Sequence, residues 1–360
     1  MQIWNPRYTL APALVRALMK IEAAKAIVEQ LPLPPAAEAE LRRRARLRST
    51  HYSTRIEGNR LTLAETEQVI EAGRTIKGRE RDVSEVKHYW DALLWVESQA
   101  MRRTPLTDEL VRKLHALTEH GQHRRPSPYR DGQNVIRDSI TRDIVYLPPE
   151  AKDVPALMKA LVRWVAQAES EGLLVPIVAG LAHYQFVTLH PYYDGNGRTA
   201  RLLATFILQR GGYGLNGILS IEEQHARDLE RYYAALVTHP HHSYYEGRAD
   251  ADLTAWLNYF LHDLERVFTL AKEEAAQSVT QSALSGFPQR HEAMHTSSLD
   301  ARAQLVRGLF ARQERITSQD VAATLGLSTR MARVLLAEWV AAGWLHVADP
   351  SKRNRAYVLR

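Results

Sequence analysis

The sequence predicts an all-α protein with one short β-hairpin and a separate C-terminal helix-turn-helix. Over most of the 360 residues, apolar side chains recur every three or four positions, which is the period of an amphipathic helix. Strand-like alternation of apolar and polar residues is confined mainly to Val135-Ile136 and Ile144-Val145-Tyr146. After residue 299 the pattern changes to two short helices, with a turn between them, and two short strands.

Composition excludes several classes of protein. A content of 45% hydrophobic and 24% charged residues is typical of a folded globular chain. The absence of cysteine excludes disulfides, thiolate zinc sites, iron–sulfur clusters and cysteine nucleophiles. The N-terminus has no uninterrupted apolar stretch, and no run is long enough to cross a bilayer, so we expect a cytoplasmic protein without a membrane partner.

Capping residues mark the ends of the predicted helices. Thr62 and Glu65 form a capping-box pattern, so a helix is expected to start there. Just before it, Gly58-Asn59 suits the end of a preceding helix. Thr107 precedes another amphipathic stretch, and Gly121 follows it as a residue that tolerates the left-handed conformation. The segment from Gly121 to Pro149 is the main non-helical stretch, and its alternating parts predict the hairpin.

The segment most informative about chemistry is residues 190–201, with the sequence HPYYDGNGRTAR. A helix over residues 176–189 is apolar on nearly every face and should be buried, ending at His190-Pro191. Gly195 and Gly197 allow a tight turn whose N–H groups point inward, and a second helix is expected to start at Arg198.

This turn has the features of a polyphosphate site. Arg198 and Arg201 share one face near the positive end of the second helix, beside the Gly195-Asn196-Gly197 turn. Asp194 supplies the single carboxylate that Mg²⁺ accepts together with phosphate oxygens. His190 titrates near neutrality and is placed to take a proton from an attacking hydroxyl. The run fits neither a Walker loop nor a dinucleotide fingerprint.

The same twelve residues resemble the active-site signature of the Fic family, His-Pro-Phe-x-Asp/Glu-Gly-Asn-Gly-Arg-x-x-Arg, with Tyr192 in place of Phe. The resemblance implies an all-α Fic-fold helical bundle that moves AMP from ATP to a Ser, Thr or Tyr hydroxyl of a target protein or of itself. By the same resemblance, His190 is the general base and Asp194 binds the metal. The Gly195–Gly197 backbone holds phosphate oxygens, Arg198 and Arg201 neutralise the phosphates, and Arg201 meets the γ-phosphate.

Other segments extend the resemblance. The family's phosphorylating branch has Lys where this chain has Gly197, which favours adenylyl transfer. The hairpin near residues 133–146 is similar to the family's flap, along which an extended protein target adds as a β-strand. Tyr232 and Tyr233 resemble an aromatic pair that lines the adenine pocket. The nearby His239-Pro-His-His242 run lacks ligand spacing and a companion acid, which favours a loop cluster over a metal site.

An upstream motif predicts regulation. Ser53, Glu57 and Gly58 fit the family's inhibitory pattern Ser/Thr-x-x-x-Glu-Gly/Asn, and their position before the core resembles the class whose inhibitory helix is N-terminal. A Glu57 carboxylate paired with Arg201 would occupy the guanidinium that binds the γ-phosphate. In some relatives the same glutamate helps to remove AMP, so a net de-AMPylating hydrolase stays open as an alternative.

The C-terminal segment resembles a winged helix-turn-helix. Residues 300–360 contain ten basic and five acidic residues, a net charge of +5 out of the chain's total of +6. A helix from Ser318, a turn at Gly326-Leu327-Ser328 and a second helix ending at Gly343 precede two strands joined by a charged turn. The residues placed for phosphate contacts with DNA are Arg330, Arg333, Lys352, Arg353 and Arg355.

Four regions follow from these patterns: an N-terminal helical region with the inhibitory helix (1–100), a catalytic core (101–270), a linker (271–298) and the winged helix (299–360). The function predicted first is that of an adenylyltransferase, with ATP as substrate and Mg²⁺ as cofactor. The alternative from another class is a DNA-binding regulator whose Fic core senses nucleotide. DNA, bound by the C-terminal segment, and a second copy of the chain, as a homodimer, are further candidate partners.

Overall fold

The computed structural model describes residues 4–121, 125–137, 141–284, 306–311, 313–325, 327–341, 344–349, 351 and 355–359. The chain divides into two compact units, Met1–Phe287 and Pro288–Arg360.

The first unit is a helical bundle with one small hairpin, as the periodicity predicted. Its helices and strands, in chain order, are α1 (Pro12–Gln30), α2 (Pro35–Ile56), α3 (Leu63–Glu71), α4 (Glu80–Met101), α5 (Asp108–His120), β1 (Ile136–Arg137), β2 (Ile144–Tyr146), α6 (Val154–Ser170), α7 (Val175–Leu189), α8 (Asn196–Arg210), α9 (Glu222–Arg227), α10 (Leu229–Leu236) and α11 (Thr254–Leu284), with 3-10 turns at Leu215–Gly217 and Arg248–Asp250.

Helix α7 lies in the centre of the bundle, packed between α6, α8 and α11. It is buried on nearly all faces, which explains why its sequence lacks an amphipathic pattern. Gly180 lets α11 approach closely, because a Cβ there would lie 2.7 Å from the ring of Phe260. The indole of Trp256 donates a hydrogen bond to the Gly180 carbonyl at 2.7 Å. The close packing fixes the position of the C-terminal end of α7, where residues 190–201 begin.

The capping predictions are confirmed at three helix ends. The capping box of α3 makes both of its bonds, from the Glu65 amide to the Thr62 hydroxyl and from the Thr62 amide to the Glu65 carboxylate. The Thr107 hydroxyl accepts from the Leu110 amide at 3.1 Å at the start of α5. Gly58, with φ +94°, follows the end of α2. The predicted start of α8 at Arg198 is wrong by two residues, because Gly195 takes φ +73° and the helix begins at Asn196.

The predicted hairpin is present as the antiparallel pair β1 and β2, with Ile136 opposite Tyr146. The Tyr146 hydroxyl donates to the Thr188 carbonyl at 2.8 Å and so anchors β2 on the last turn of α7. On its other side the chain after β2 meets residues 242–244, since the Leu147 amide donates to the His242 carbonyl at 2.7 Å. The hairpin is therefore held next to the C-terminal end of α7.

The predicted linker, 271–298, starts within a helix. Helix α11 continues through Leu284, so residues 271–284 are helical, and residues 285–298 lie outside the described ranges. Ala275 is still fully buried, and Glu274 forms two bonds to the Arg48 guanidinium at 2.7 and 2.9 Å. The low content of large apolar residues suggested a linker, but small buried alanines and one ion pair keep this stretch helical.

The second unit has its elements in the order predicted for a winged helix-turn-helix, an assignment that stays a prediction. They are a 3-10 turn (Gly308–Ala311), β3 (Ile316–Thr317), α12 (Ser318–Leu325), α13 (Thr329–Ala341), β4 (Leu345–Asp349) and β5 (Ala356–Leu359). The strands form an antiparallel sheet in the order β3-β5-β4. Val321, Leu336 and Trp339 from the helices pack with Leu345 and Tyr357 from the strands. The Ser328 hydroxyl caps α13 by accepting from the Met331 amide at 3.3 Å, while Gly326 and Gly343 lie outside the described residues.

Among the described helices, none combines the length and the apolar character needed to cross a membrane.

Candidate active site

The loop between α7 and α8 starts at a residue in an unusual conformation. His190 ends α7 with φ 47° and ψ 58°, in the left-handed region that costs a non-glycine residue about 1 kcal/mol or more. Its amide donates to the Phe186 carbonyl at 3.1 Å, and its carbonyl accepts from Arg130 Nε at 2.9 Å. The surrounding structure thus holds the backbone of His190 in a strained turn, as is common at functional sites.

The His190 imidazole is set up as a neutral base. Its Nδ1 lies 3.3 Å from the Val187 carbonyl, which can only accept, so Nδ1 carries the proton and Nε2 keeps a free lone pair. Burial lowers the pKa of His190 to about 4, because the imidazolium loses its hydration. At neutral pH the ring is therefore ready to accept a proton.

Asn196 fixes the loop by bonding across it. Its side-chain oxygen accepts from the Tyr192 amide at 3.0 Å and its Nδ2 donates to the Tyr192 carbonyl at 2.9 Å. The predicted role of Asn196 in nucleotide binding therefore rests on its backbone, since both polar atoms of the side chain are engaged. The first N–H groups of α8 have no partner within the helix, which is the usual basis of an anion site.

Tyr192 fills the position where the Fic signature has Phe. Its ring is buried and stacks on His115 with a centroid distance of 3.5 Å. The ring therefore packs in the interior, but the Tyr192 hydroxyl is buried without a hydrogen-bond partner among the described residues. His115 in turn bonds through Nε2 to the Asp194 carbonyl at 3.0 Å and through Nδ1 to the Ser127 hydroxyl at 2.7 Å.

The pairing predicted between Glu57 and Arg201 is present. Arg201 is 1% exposed, and its Nη2 lies 2.8 Å from Glu57 Oε1. Ser53 completes the contact, with its hydroxyl accepting from Arg201 Nε and its carbonyl from Nη2, both at 2.8 Å. Gly58 follows with φ +94°, which ends α2 where the Glu57 side chain leaves it. The C-terminal end of α2 thus delivers one carboxylate to a buried guanidinium.

The Glu57 carboxylate also lies against the first turn of α8. A Cβ at Gly197 would lie 2.3 Å from Glu57 Oε1 and 3.1 Å from Arg201 Nη1, so only glycine leaves room for this contact. A Cβ at Gly195 would collide with the Glu119 carboxylate at 2.2 Å. Both glycines of the turn therefore serve to admit carboxylates, which occupy the end of the helix where anions are stabilised.

Arg198 is surrounded by acids in this structure. It is 4% exposed and pairs with Glu85, with Glu119 at 3.0 Å and with Asp194 at 3.4 Å. Burial raises the pKa of Glu119 to about 7 and also raises the pKa of Glu85. The predicted phosphate-binding Arg198 is thus buried and neutralised by carboxylates, of which sequence reasoning named only Asp194.

Asp194 meets the requirements for holding Mg²⁺ together with ATP. Its side chain is 66% exposed, and Oδ1 accepts from the Gly195 amide at 2.7 Å, which leaves Oδ2 available. Within the described ranges no group of three or more His, Asp or Glu side chains is arranged to hold a metal. One exposed carboxylate suits an ion that takes its remaining ligands from phosphates and water.

The predicted adenine-pocket pair is divided between interior and surface. Tyr232 is 2% exposed, bonds to His183 Nε2 at 2.9 Å and stacks on His225 with a centroid distance of 4.6 Å. Tyr233 is 48% exposed. Tyr232 is thus buried and Tyr233 exposed, and a role for the pair in the adenine pocket stays a prediction.

The histidine run at 239–242 contributes to the hairpin. His242 Nδ1 bonds to the Val145 carbonyl at 2.8 Å, and the His242 carbonyl accepts from the Leu147 amide. These contacts fit the loop interpretation of the run.

Four site residues had no clear signal in the sequence: Glu85 and Glu119, which neutralise Arg198, His115, which supports the Asp194 loop, and Arg130, which binds the His190 carbonyl. They come from α4, α5 and the segment before β1, far from the motif in sequence. Only tertiary contacts bring them to it.

In the second unit, Arg330, Arg333 and Arg355 are exposed. Arg355 lies over the ring of Tyr357, 5.9 Å from its centroid. Lys352 and Arg353 fall outside the described residues.

With this geometry in place, residues 105–208, which run from just before α5 through most of α8, match the Fic/DOC family. This part of the chain is similar to a Fic domain. The protein adenylyltransferase Fic of Drosophila melanogaster is 31% identical over 171 residues, which cover 45% of this chain and 32% of that protein. The Drosophila grimshawi protein of the same name is 28% identical over 206 residues, covering 55% and 40%. The matched region thus spans less than half the length of these relatives.

Two solved structures of Fic proteins have a fold similar to that of this chain. A Fic family protein from Desulfovibrio desulfuricans matches with a TM-score of 0.60 and 25% identity, covering 99% of this chain and 98% of that one. A Fic domain containing signaling protein from Bacteroides thetaiotaomicron matches with a TM-score of 0.62 and 27% identity, covering 74% and 97%. These matches show the helical Fic fold that the signature implied.

Proposed function

We propose that this chain is a protein adenylyltransferase that transfers AMP from ATP to a hydroxyl of a target protein or of itself. The observation that carries the proposal is the Glu57 carboxylate, held by Arg201 against the first turn of α8. An anionic group already occupies the place where a terminal phosphate would be neutralised, next to a neutral histidine. The relatives named protein adenylyltransferase Fic support the same reaction.

In the proposed reaction the target hydroxyl oxygen attacks the α-phosphorus of ATP. The new oxygen–phosphorus bond forms as the bond from the α-phosphorus to the bridging oxygen of the β-phosphate breaks, and pyrophosphate leaves. The hydroxyl proton passes to His190 Nε2, whose lone pair is left free by the Nδ1 bond to Val187. Mg²⁺ bound at Asp194 would supply positive charge to the phosphates.

The remaining residues position the nucleotide. We expect the N–H groups at Gly195, Asn196 and Gly197 to hold phosphate oxygens, the Gly195 amide after it releases Asp194 Oδ1, and Arg201 to neutralise the γ-phosphate. Arg198 has to release part of its contact with Glu85 or Glu119 before it binds phosphate. Tyr233, through its exposed ring, is the better of the two tyrosines to contact adenine.

Autoinhibition through α2 is part of the proposal. Arg201 cannot pair fully with Glu57 and with a γ-phosphate at the same time, because the carboxylate already takes the Nη2 donor that the phosphate needs. ATP would then bind with its terminal phosphate displaced, in a pose that does not align the α-phosphorus for attack. Inhibition is thus competition between a carboxylate and a phosphate for one guanidinium.

The protein target is proposed to add along the hairpin. In the described part of the hairpin, β2 is paired with β1 on one side and approached by residues 242–244 on the other. The outer edge of β1, at Ile136–Arg137, has no strand beside it among these residues and offers free backbone groups. A target strand is therefore expected beside β1. The segment before β1 contains Arg130, which bonds to the His190 carbonyl.

The test is incubation of the Glu57→Gly protein with ATP labelled on the α-phosphate, Mg²⁺ and a cell lysate. We expect label on the protein itself or on a lysate protein, with little label from the wild type. The double variant Glu57→Gly/His190→Ala is the matched control and should lose the label. If Glu57→Gly gives no label with every divalent metal tested, the proposed transferase activity is rejected. Faster loss of AMP from a labelled product with wild type than with Glu57→Gly would favour the hydrolase.

DNA binding by the second unit is a further candidate function, favoured by the exposure of Arg330 and Arg333 on α13. Both arginines lie in the first turns of the helix expected to enter a DNA groove. A gel shift should show binding that weakens steeply with salt and with Arg330→Ala/Arg333→Ala. If the double variant and the wild type bind equally, the arginines do not contact DNA.

A further inference from the structure

Arg130 lies in the segment before β1 and is 3% exposed. Among the described residues it has no carboxylate partner. Its guanidinium instead donates to three backbone carbonyls, from Nε to His190 at 2.9 Å, from Nη1 to Gly132 at 3.0 Å and from Nη2 to Pro149. Its own amide donates to the Pro191 carbonyl at 3.0 Å.

These acceptors belong to three different parts of the chain. Gly132 lies four residues before β1, and Pro149 lies three residues after β2, so they form the two ends of the hairpin. His190 is the residue at which α7 ends in the left-handed conformation. One planar group therefore joins both ends of the hairpin to the backbone of the proposed base.

The choice of arginine follows from this geometry. Three carbonyls that approach from different directions need donors in a fixed fork, which a guanidinium has and an ammonium lacks. Burying a cation without an acid is costly, so the carbonyls must stay in place to compensate for lost hydration. The strained backbone of His190 is then stabilised by the same contact that closes the hairpin.

We propose that Arg130 is a positioning residue that couples the hairpin to His190, so that a peptide strand docked on β1 and the imidazole are held in one fixed geometry. The role of this coupling in catalysis rests on the proposed function. The connection between the hairpin and His190 rests only on the hydrogen bonds of Arg130. Because none of these four hydrogen bonds of Arg130 goes to α8, its loss should leave the nucleotide site intact.

The first test needs no activity. We would measure amide hydrogen exchange at residues 144–147 in Arg130→Gln and Arg130→Lys. In the same variants we would record the NMR signal of the His190 ring, assigned with His190→Gln. Both variants should exchange faster in the hairpin, on the order of tenfold, and shift the His190 signal. Lys keeps the charge without the fork, so a Lys variant that behaves as wild type would overturn the proposal.

Gln133→Ala is the matched control. The Gln133 amide donates to the Pro148 carbonyl at 3.0 Å and so closes the hairpin without touching His190. The Gln133→Ala variant should show faster amide exchange in the hairpin and an unchanged His190 signal. If Gln133→Ala shifts His190 as much as Arg130→Gln does, the coupling does not run through Arg130.

The second test uses transfer activity in the Glu57→Gly background. Arg130→Gln should lower kcat for labelling roughly a hundredfold, as expected when a base is displaced by about 1 Å, with KM for ATP unchanged. A parallel rise in KM for ATP would overturn the proposal, since it would place the defect in the nucleotide site. If Glu57→Gly itself transfers no AMP while the exchange and His190 results appear as expected, the proposed function fails and the link through Arg130 stands.

Discussion

Glu57 Oε1 and Arg201 Nη2 lie 2.8 Å apart, between a guanidinium that is 1% exposed and a carboxylate whose side chain is 27% exposed. The pair is asymmetric, because water still reaches the acid but not the base. Whatever displaces Glu57 must therefore bring its own negative charge to Arg201. This requirement makes the contact suited to release by a phosphate.

Glu57→Gln should lower stability and increase the response to ATP. The substitution keeps the shape of the side chain but removes the charge facing Arg201, which we expect to cost about 1–3 kcal/mol. Mg-ATP should then raise the melting temperature of the variant more than that of the wild type, because its phosphates replace the lost charge. Thermal unfolding with and without Mg-ATP measures both effects. Equal shifts in the two proteins would contradict competition between Glu57 and the nucleotide.

Tyr192→Phe should stabilise the protein. The ring already packs on His115, and only the hydroxyl is buried without a partner among the described residues. Removing an unsatisfied buried hydroxyl should raise the free energy of unfolding by about 1 kcal/mol or more. Urea denaturation measures the change, and Tyr129→Phe, which loses a hydroxyl bonded to Asp108, should move stability in the opposite direction. A destabilised Tyr192→Phe would mean that the hydroxyl has a partner.

The stability of the folded protein should depend on pH through Glu119. Burial raises its pKa to about 7 in the folded protein, against an ordinary value of 4.5. Between these pH values the folded state binds the proton and the unfolded state does not, so this group lowers stability as pH rises. Its unfavourable contribution is absent below about pH 4.5 and complete above about pH 7.

Glu119→Gln should therefore be more stable than the wild type at pH 8, by about 2–3 kcal/mol, and the difference should shrink toward pH 5. The amide keeps the size of the Glu119 side chain beside Arg198, and Glu85 keeps its own ion pair. Urea denaturation of both proteins at the two pH values tests this. A difference in stability that is the same at pH 5 and pH 8 would show that Glu119 is not the titrating group.

Tyr232 and Tyr233 should respond differently to substitution. Tyr232→Phe leaves His183 Nε2 buried without its partner, at a cost of about 1–3 kcal/mol in stability, and should leave ATP affinity unchanged. Tyr233→Ala, at an exposed position, should change stability by less than about 0.5 kcal/mol and weaken ATP binding about tenfold if its ring contacts the base. Urea midpoints and nucleotide titrations in the Glu57→Gly background separate the two. Unchanged ATP affinity in both variants would exclude the pair from the adenine pocket.

The sequence by itself determined the features that depend on neighbours along the chain. Helical periodicity, the Thr62 capping box, the hairpin alternation and the Gly195-Asn196-Gly197 turn all arise from local backbone preferences, and the structure confirms them. Eight of the nine specified signature positions are matched, all within twelve residues, so one segment of the chain displays them. Helix α8 begins two residues before the predicted Arg198, because Gly195 takes a left-handed conformation that residue types alone do not specify.

Only the tertiary structure decided which groups meet at that loop. Arg130 reaches His190 across 60 residues and Glu85 reaches Arg198 across 113, and neither contact leaves a periodic trace in the sequence. Tyr232 and Tyr233 are neighbours in sequence, yet one is in the core and the other is exposed, because successive residues of a helix face different directions. Glu57 and Arg201 could be named from two short motifs, but the packing of α2 against α8 is what places their charges 2.8 Å apart.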